Sequence, residues 1–300
     1  MHSITILDGG MGRELERRGA PFKQPEWSAL AMMEAPEIVK DVHKAYIDAG
    51  SRVITTNSYA LVPFHIGEEV FQQRVTELVI ESARVAREAA EEADEEVKVA
   101  GSLAPLFGSY RADLYEADRA EQIARPIIEA LAPRVDLWLN ETQSLLAETL
   151  QMKALVDEID GQSKPYWVSF TLEDSEATDQ PRLRSGETVK EAVAAMANVG
   201  VNGILFNCCQ PEIIADAIQL SQDVLSALHQ DTIQLGAYAN AFPPQPKNAT
   251  ANDGLDELRN DLTPDSYLVW AQRWKEQGAT LIGGCCGIGP EHIKALSAHL

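Results

Sequence analysis

The sequence predicts a single (β/α)8 barrel over residues 1–300, with its active site at the carboxyl-end face of the strands. Three observations carry this. Eight apolar, β-branched runs alternate without interruption with amphipathic helical stretches. The runs are apolar throughout rather than alternating, as strands buried on both faces are, and helical crossovers between them imply parallel pairing. Connections that follow strands are long at 9–35, 172–186 and 241–262, whereas those that return from helix to strand are short. In a barrel this places the elaboration on the carboxyl-end face. A doubly wound open sheet shares the local pattern, but eight consecutive units close naturally into a ring.

Each unit has its own justification. "ITILD" (4–8) is the first strand, and "PEIVKDVHKAYIDAG" (36–50) the first crossover helix. In that helix Ile38, Val42, Ala45 and Ala49 recur at helical spacing, Pro36 suits the first turn and Gly50 the stop. "RVITTN" (52–57) leads to a long helix near 68–95 whose acidic, alanine-rich end reads as a solvated face. "VKVAGSL" (97–103) precedes a helix near 118–132, and "VDLWLNET" (135–142) one near 144–158. "YWVSFT" (166–171) precedes 187–200, where Val189, Val193 and Met196 form the stripe, and "VNGILFNCC" (201–209) precedes 211–228. "TIQLGAYAN" (232–240) precedes a helix near 264–277, and "TLIGGCC" (280–286) precedes the last, 290–300. No linker or low-complexity segment splits the chain.

Composition narrows the function. With 25 basic against 46 acidic residues the formal charge is −21, which argues against nucleic acid or an anionic membrane as partner, since both require a basic surface. The acidity itself reads as solubility or as adaptation to salt. "MHSITILDGG" lacks the basic start of a signal sequence, and no apolar stretch approaches the roughly 20 residues of a membrane helix, so a cytoplasmic protein is expected, a monomer or small homo-oligomer. In a reducing compartment, paired cysteines point to metal binding or catalysis before disulfides.

Asp8, Asn57, Glu141 with Thr142, Cys208 with Cys209, Asn240, and Cys285 with Cys286 all fall at carboxyl ends of predicted strands. The chain's four cysteines form two adjacent pairs, on strands six and eight, and alternate barrel strands send side chains into the same layer. Their thiols are therefore expected to meet over the barrel mouth. Three thiolates with an open fourth position describe a zinc site meant to bind something, and soft sulfur favours zinc over magnesium or calcium. Neighbouring strand residues face opposite ways, so only one of Cys208 and Cys209 is expected at the mouth. Both Cys285 and Cys286 can ligate if Gly283, Gly284 and Gly287 give the backbone conformations closed to other residues.

These residues sit in a longer set of motifs: "LDGGMGRELERRG" (7–19), "WSALAM" (27–32), "VHKAYIDAGSRVITTNSY" (42–59), "NETQSLLAE" (140–148), "WVSFT" (167–171), "LRSGETVKEAV" (183–193), "FNCC" (206–209), "YANAF" (238–242) and "IGGCCGIGPEHI" (282–293). In that order they resemble the zinc-dependent homocysteine S-methyltransferases, a (β/α)8 family, over nearly the whole chain. The resemblance implies Cys208, Cys285 and Cys286 as zinc ligands and Cys209 as a packing residue. It implies Asp8 and Glu141 as the acidic groups that hold the amino group of homocysteine. Gly9 and the Thr56-Asn57-Ser58 stretch fall where the carboxylate is met, and Tyr238 and Asn240 at the strand-seven rim. Trp27 matches a family tryptophan that can cover a cationic donor with its ring face, an attraction of about 0.5–2 kcal/mol.

Two stretches depart from the family pattern, 101–115 and the unusually polar 240–262, and these are the loops that would meet the methyl donor. The chain shows no appended cobalamin or folate module, which orders the implied donors as S-methylmethionine, then S-adenosylmethionine, then betaine. Two rivals remain. A non-catalytic zinc-binding or thiol-redox barrel would keep the cysteines but has no use for Asp8 and Glu141. A phosphate-handling barrel would use the glycines of "GGCCGIGPEH", where cysteines make a poor anion cradle.

Overall fold

The computed structural model describes residues 3–250 and 257–300. In chain order the elements are β1 (Thr5–Ile6), α1 (Met11–Arg17), α2 (Ser28–Glu34), α3 (Pro36–Asp48), β2 (Val53–Thr55), α4 (Pro63–Ile66), α5 (Glu68–Glu91) and β3 (Lys98–Leu103). Then follow α6 (Ala117–Leu131), β4 (Leu137–Gln143), α7 (Leu146–Asp160), β5 (Tyr166–Phe170), α8 (Val189–Asn198) and β6 (Gly203–Asn207). The chain ends with α9 (Pro211–Ala227), β7 (Gln234–Tyr238), α10 (Pro264–Glu276), β8 (Ala279–Ile282) and α11 (Pro290–His299).

All strand pairs are parallel, in the order β1-β8-β7-β6-β5-β4-β3-β2. The seam between β1 and β2 is closed by a parallel bridge of Leu7 to Val53 and by the Arg52 N–H donating to the Ile6 carbonyl at 2.8 Å. One residue further, the Thr55 N–H donates to the Asp8 carboxylate at 2.7 Å, so a side chain completes the ring where backbone pairing stops. This is the (β/α)8 barrel.

Two hydrophobic layers build it. Leu7, Val53, Ala100, Leu137, Leu139, Trp167, Leu205, Tyr238 and Leu281 fill the barrel interior. Outside, helix faces pack onto the strands, as with Phe71, Val75, Leu78, Val79 and Ala83 along one side of α5. Burial on both sides is why β5 and β6 read as continuous apolar runs. The start of α8 adds a capping box: Thr188 accepts from the Glu191 N–H at 3.1 Å while Glu191 accepts from the Thr188 N–H at 2.8 Å, a closure worth about 1 kcal/mol.

The long connections are more structured than expected. Residues 9–35 are not a loop but carry α1 and α2. α1 has little apolar surface of its own; it is held by the buried Glu14, which accepts from Arg17 at 2.6 and 2.8 Å and from Arg18 at 2.8 Å. The 172–186 connection doubles back through bridges of Leu172 to Leu183 and Arg182 to Thr188. Of the 241–262 connection, residues 251–256 lie outside the described residues. Among the described residues no helix is long and apolar enough to cross a membrane.

Candidate metal centre and substrate pocket

The segment after β8 is pinned from two sides. On the β1 side, the Gly284 N–H donates to the Asp8 carbonyl at 2.9 Å. On the β7 side, the Gly283 N–H donates to Ala237 at 3.1 Å, the Cys285 N–H to Ala239 at 2.9 Å, and the Ala241 N–H to the Cys286 carbonyl at 2.8 Å. The glycines serve this docking. A Cβ on Gly283 would sit 2.6 Å from Leu7 Cβ and 2.7 Å from the Asp8 carbonyl, and one on Gly284 2.1 Å from Ile288. Only Gly287 has positive φ, at 81°, so backbone freedom explains one of the three glycines and close approach the other two.

Cys208 follows β6 with φ 55°, in the left-handed region. Strict alternation from Leu205, which faces the interior, would have turned Cys209 inward. The left-handed turn reverses this: Cys208 lines the mouth, and Cys209 is fully buried in the layer between barrel and helices. Asn207 braces the turn, its Oδ1 accepting from the Thr142 N–H at 3.0 Å and the Ser169 hydroxyl at 2.7 Å. The Thr171 hydroxyl donates to the Cys208 carbonyl at 3.1 Å.

The three sulfurs of Cys208, Cys285 and Cys286 lie within 4.8 Å of one another, with Cys285 and Cys208 Sγ 3.1 Å apart. Zinc–sulfur bonds of about 2.3 Å in a tetrahedron set sulfurs about 3.8 Å apart, so the set fits a small soft cation with minor adjustment. All four cysteines are free thiols. Accepting hydrogen bonds from the other two thiols holds Cys286 well below the usual thiol range, while hydrogen bonding to Cys208 and Cys286, then burial, pushes Cys285 up. One thiolate forms readily; a full set needs a cation to compensate the charge.

The sulfurs open into a cavity of about 220 Å³. Its wall holds two buried carboxylates. Asp8 accepts from the Thr55 N–H at 2.7 Å and the Thr55 hydroxyl at 3.2 Å; Glu141 accepts from the Ser102 hydroxyl at 2.5 Å and the Tyr238 hydroxyl at 3.2 Å. Burial pushes Asp8 up to about 7 against the Thr55 backbone hydrogen bond, with the charge of Glu141 adding to the rise. Burial likewise pushes Glu141 up to about 7, against the hydrogen bonds from Ser102 and Tyr238. Such carboxyls gain from an entering cation.

Of the other expected contacts, Gly9, Trp27, Thr56, Asn57 and Tyr238 line this cavity. Gly9 lets β1 approach the last loop: a Cβ there would meet the Ile288 carbonyl at 2.4 Å. Trp27 packs edge-on against Phe22, with ring centroids 5.6 Å apart. Thr56 and Asn57 are partly occupied elsewhere, Thr56 Oγ1 accepting from the Ser102 N–H at 3.0 Å and Asn57 donating to the Ser28 carbonyl at 3.1 Å. Asn240, just past β7, is fully buried and is not among the residues lining this cavity; its Oδ1 lies 3.5 Å from Gln210 Nε2. Sequence reasoning missed Ser102, Tyr110, Tyr59 and Arg13, which reach the site from β3, its following loop, the β2 loop and α1. Only Ser102 carried a signal, being two residues beyond the inward-facing Ala100.

The barrel and its mouth thus define a class: an enzyme able to hold one metal ion through sulfur and to offer it to a small molecule in a cavity that also carries two buried carboxyls. The chain belongs to the homocysteine S-methyltransferase family, whose model matches residues 5–300. It is 31% identical to the homocysteine S-methyltransferase of Escherichia coli K12, over 98% of this chain and 94% of that protein. It is 29% identical to homocysteine S-methyltransferase 1 of Brassica oleracea var. italica, over 99% and 93%. The crystal structure of the metallated form of the Escherichia coli homocysteine methyltransferase MmuM superposes with a TM-score of 0.80 at 29% identity, covering 99% of this chain and 96% of that one.

Proposed function

We propose that the protein methylates the sulfur of homocysteine to give methionine, with Zn2+ held by Cys208, Cys285 and Cys286 and S-methylmethionine as the donor. The observation that carries this is the convergence of three sulfurs within 4.8 Å on the cavity that also holds Asp8 and Glu141. A storage or redox barrel would have no use for two buried carboxyls facing its thiols.

The residues divide the work. Asp8 and Glu141 take the ammonium of homocysteine, and Ser102 and Tyr238 fix the Glu141 carboxylate by donating to it. A free thiol with a pKa of roughly 8.5 is a poor nucleophile at neutral pH. Bound zinc supplies a vacant position at which that thiol loses its proton while keeping a lone pair for attack. The chain then has only to hold sulfur and methyl carbon about 3–3.5 Å apart and in line with the leaving group. The carbon–sulfur bond to the acceptor forms as the donor's onium bond breaks, and charge is neutralised, so no general base acts in the transfer.

The cavity's lining supports an amino-acid donor, with S-adenosylmethionine second. Phe22, Trp27, Tyr59 and Phe242 line the cavity with aromatic rings, which suit a cationic sulfur, and Arg13 in the same wall suits the carboxylate of an amino-acid donor, which betaine presents without the amine. Reduced cysteines suit the cytoplasm, and the barrel is complete as a monomer or in a small homo-oligomer.

The test is to incubate the zinc-loaded protein with homocysteine and each donor in turn and to measure methionine. Fastest turnover is expected with S-methylmethionine. Alanine at Cys208, Cys285 or Cys286 is expected to lose the metal and at least about 100-fold in activity, whereas Cys209→Ala keeps both. Methionine formed from no onium donor, or equal metal loss in all four variants, contradicts the proposal.

A further inference from the structure

We propose that Tyr110 is a positioning residue that tunes the metal site through the sulfur of Cys208. The inference rests on the reading that three thiolates hold an ion. The Tyr110 hydroxyl lies 3.3 Å from Cys208 Sγ and 3.4 Å from the Cys208 carbonyl. Tyr110 has φ 69° and Cys208 φ 55°, so the two meet across the mouth with both backbones in a region that side chains rarely adopt. Such conformations persist only where the surroundings over-determine them.

The surroundings do so at Tyr110. Gly108 has φ 112°, and the Phe64 ring takes the space of any side chain there, at 2.7 Å from a Cβ position. Ser109 is hydrogen-bonded to the Tyr59 hydroxyl at 2.6 Å. On the other side the Arg184 guanidinium lies over the Tyr110 ring, 4.8 Å from its centroid. Arg184 is itself fixed. Its side chain and that of Asp174 are each 1% exposed and paired at 2.8 Å, and Nη1 donates to the Gln245 carbonyl at 2.8 Å. A buried chain of Asp174, Arg184 and Tyr110 thus ends on one of the three sulfurs. Among the described residues, the Asn207 amide also donates to the sulfur set, to Cys285 Sγ, at a longer 4.0 Å.

The effect follows from charge. An O–H donated to a thiolate withdraws electron density from it, so Cys208 gives less to the ion and leaves more positive charge for the incoming thiol. A cation on the ring face strengthens the phenol as a donor and holds the ring in register. Outer partners of this kind are typically worth about 10–100-fold in metal affinity or activity.

The experiment uses the full chain loaded with Co2+, whose sulfur-to-cobalt charge-transfer absorption reports on the thiolates. In Tyr110→Phe the band is expected to move to longer wavelength, because an unbonded thiolate holds its electrons less tightly. The pH midpoint of the spectral change caused by homocysteine should rise, because Cys208 then gives more charge to the ion and leaves less to draw the proton from the incoming thiol. Arg184→Lys, which keeps the charge but loses the flat group on the ring, should move the band the same way by less; Cys209→Ala should leave it in place. A band unmoved in either folded variant overturns the role of Tyr110. Absence of the band in the wild-type cobalt protein would instead overturn the three-thiolate reading beneath it.

Discussion

At the scale of single residues, the site sets groups where their solution chemistry is changed. Asp8 and Glu141 are the sharpest case, both pushed up to about 7. Between their ordinary values near 4 and about 7, the folded protein keeps protons that the unfolded chain has released. The stability tied to those protons is full at low pH and is lost as pH rises through about 7, where the ligand-free protein must carry buried negative charge. An ammonium entering the pocket offsets that charge and is bound with release of a proton. Methionine has the amine of the substrate but no thiol proton, so its binding isolates this effect. Calorimetry should show it binding about tenfold tighter at pH 8 than at pH 6, and Glu141→Gln should weaken binding at pH 8 while metal content stays unchanged. An affinity independent of pH in the wild type would remove the carboxyl pair from the amine pocket.

At the scale of elements, the metal loop works because β1 and β7 clamp it. Gly10 is the point of the clamp on the β1 side that bears on the ligand residues themselves: a Cβ there would lie 2.5 Å from the Cys285 carbonyl oxygen and 3.0 Å from Cys286 Cα, both backbone atoms that cannot swing aside. Gly10 has φ −69°, so alanine brings no backbone strain of its own. Gly10→Ala should therefore displace the loop and weaken metal retention by at least about tenfold while circular dichroism stays native. Unchanged retention in chelator competition would show that the loop has slack. This dependence was half legible. The "GGCCG" run announced an irregular segment, but Leu7 and Asp8, which need Gly283 small, lie at the other end of the chain. Similarly, α1 and α2 escaped notice because seven-residue helices carry too little periodicity to stand alone and form only against the barrel. The choice of Cys208 over Cys209 depended on one left-handed turn, which strand alternation does not foretell.

At the scale of the whole molecule, the eight-fold order was readable because each strand is buried on both faces and each helix on one, so burial writes the topology into residue type. Charge distribution was not, since solvent-facing positions tolerate many arrangements. The cations are largely consumed in contact pairs: Lys40 and Lys44 with Glu88 and Glu92, Arg84 with Glu37, Glu81 and Glu88, and Arg125 with Glu121 and Glu158. With 46 acidic and 25 basic residues, the excess of 21 carboxylates has no one-to-one partner. Exposed pairs are each worth about 0–1 kcal/mol, whereas repulsion among the unmatched carboxylates sums over long distances. Salt shortens the Debye length from about 30 Å at 0.01 M to about 10 Å at 0.1 M, removing the long-range repulsion first and sparing pairs in contact. Sodium chloride, which acts mainly by screening, should therefore raise the melting temperature between 0.01 and 0.5 M, by about 1.5 °C for each kcal/mol of repulsion relieved. A melting temperature that falls with salt would mean that the ion pairs outweigh the excess charge, and that the acidic surface contributes to stability rather than opposing it.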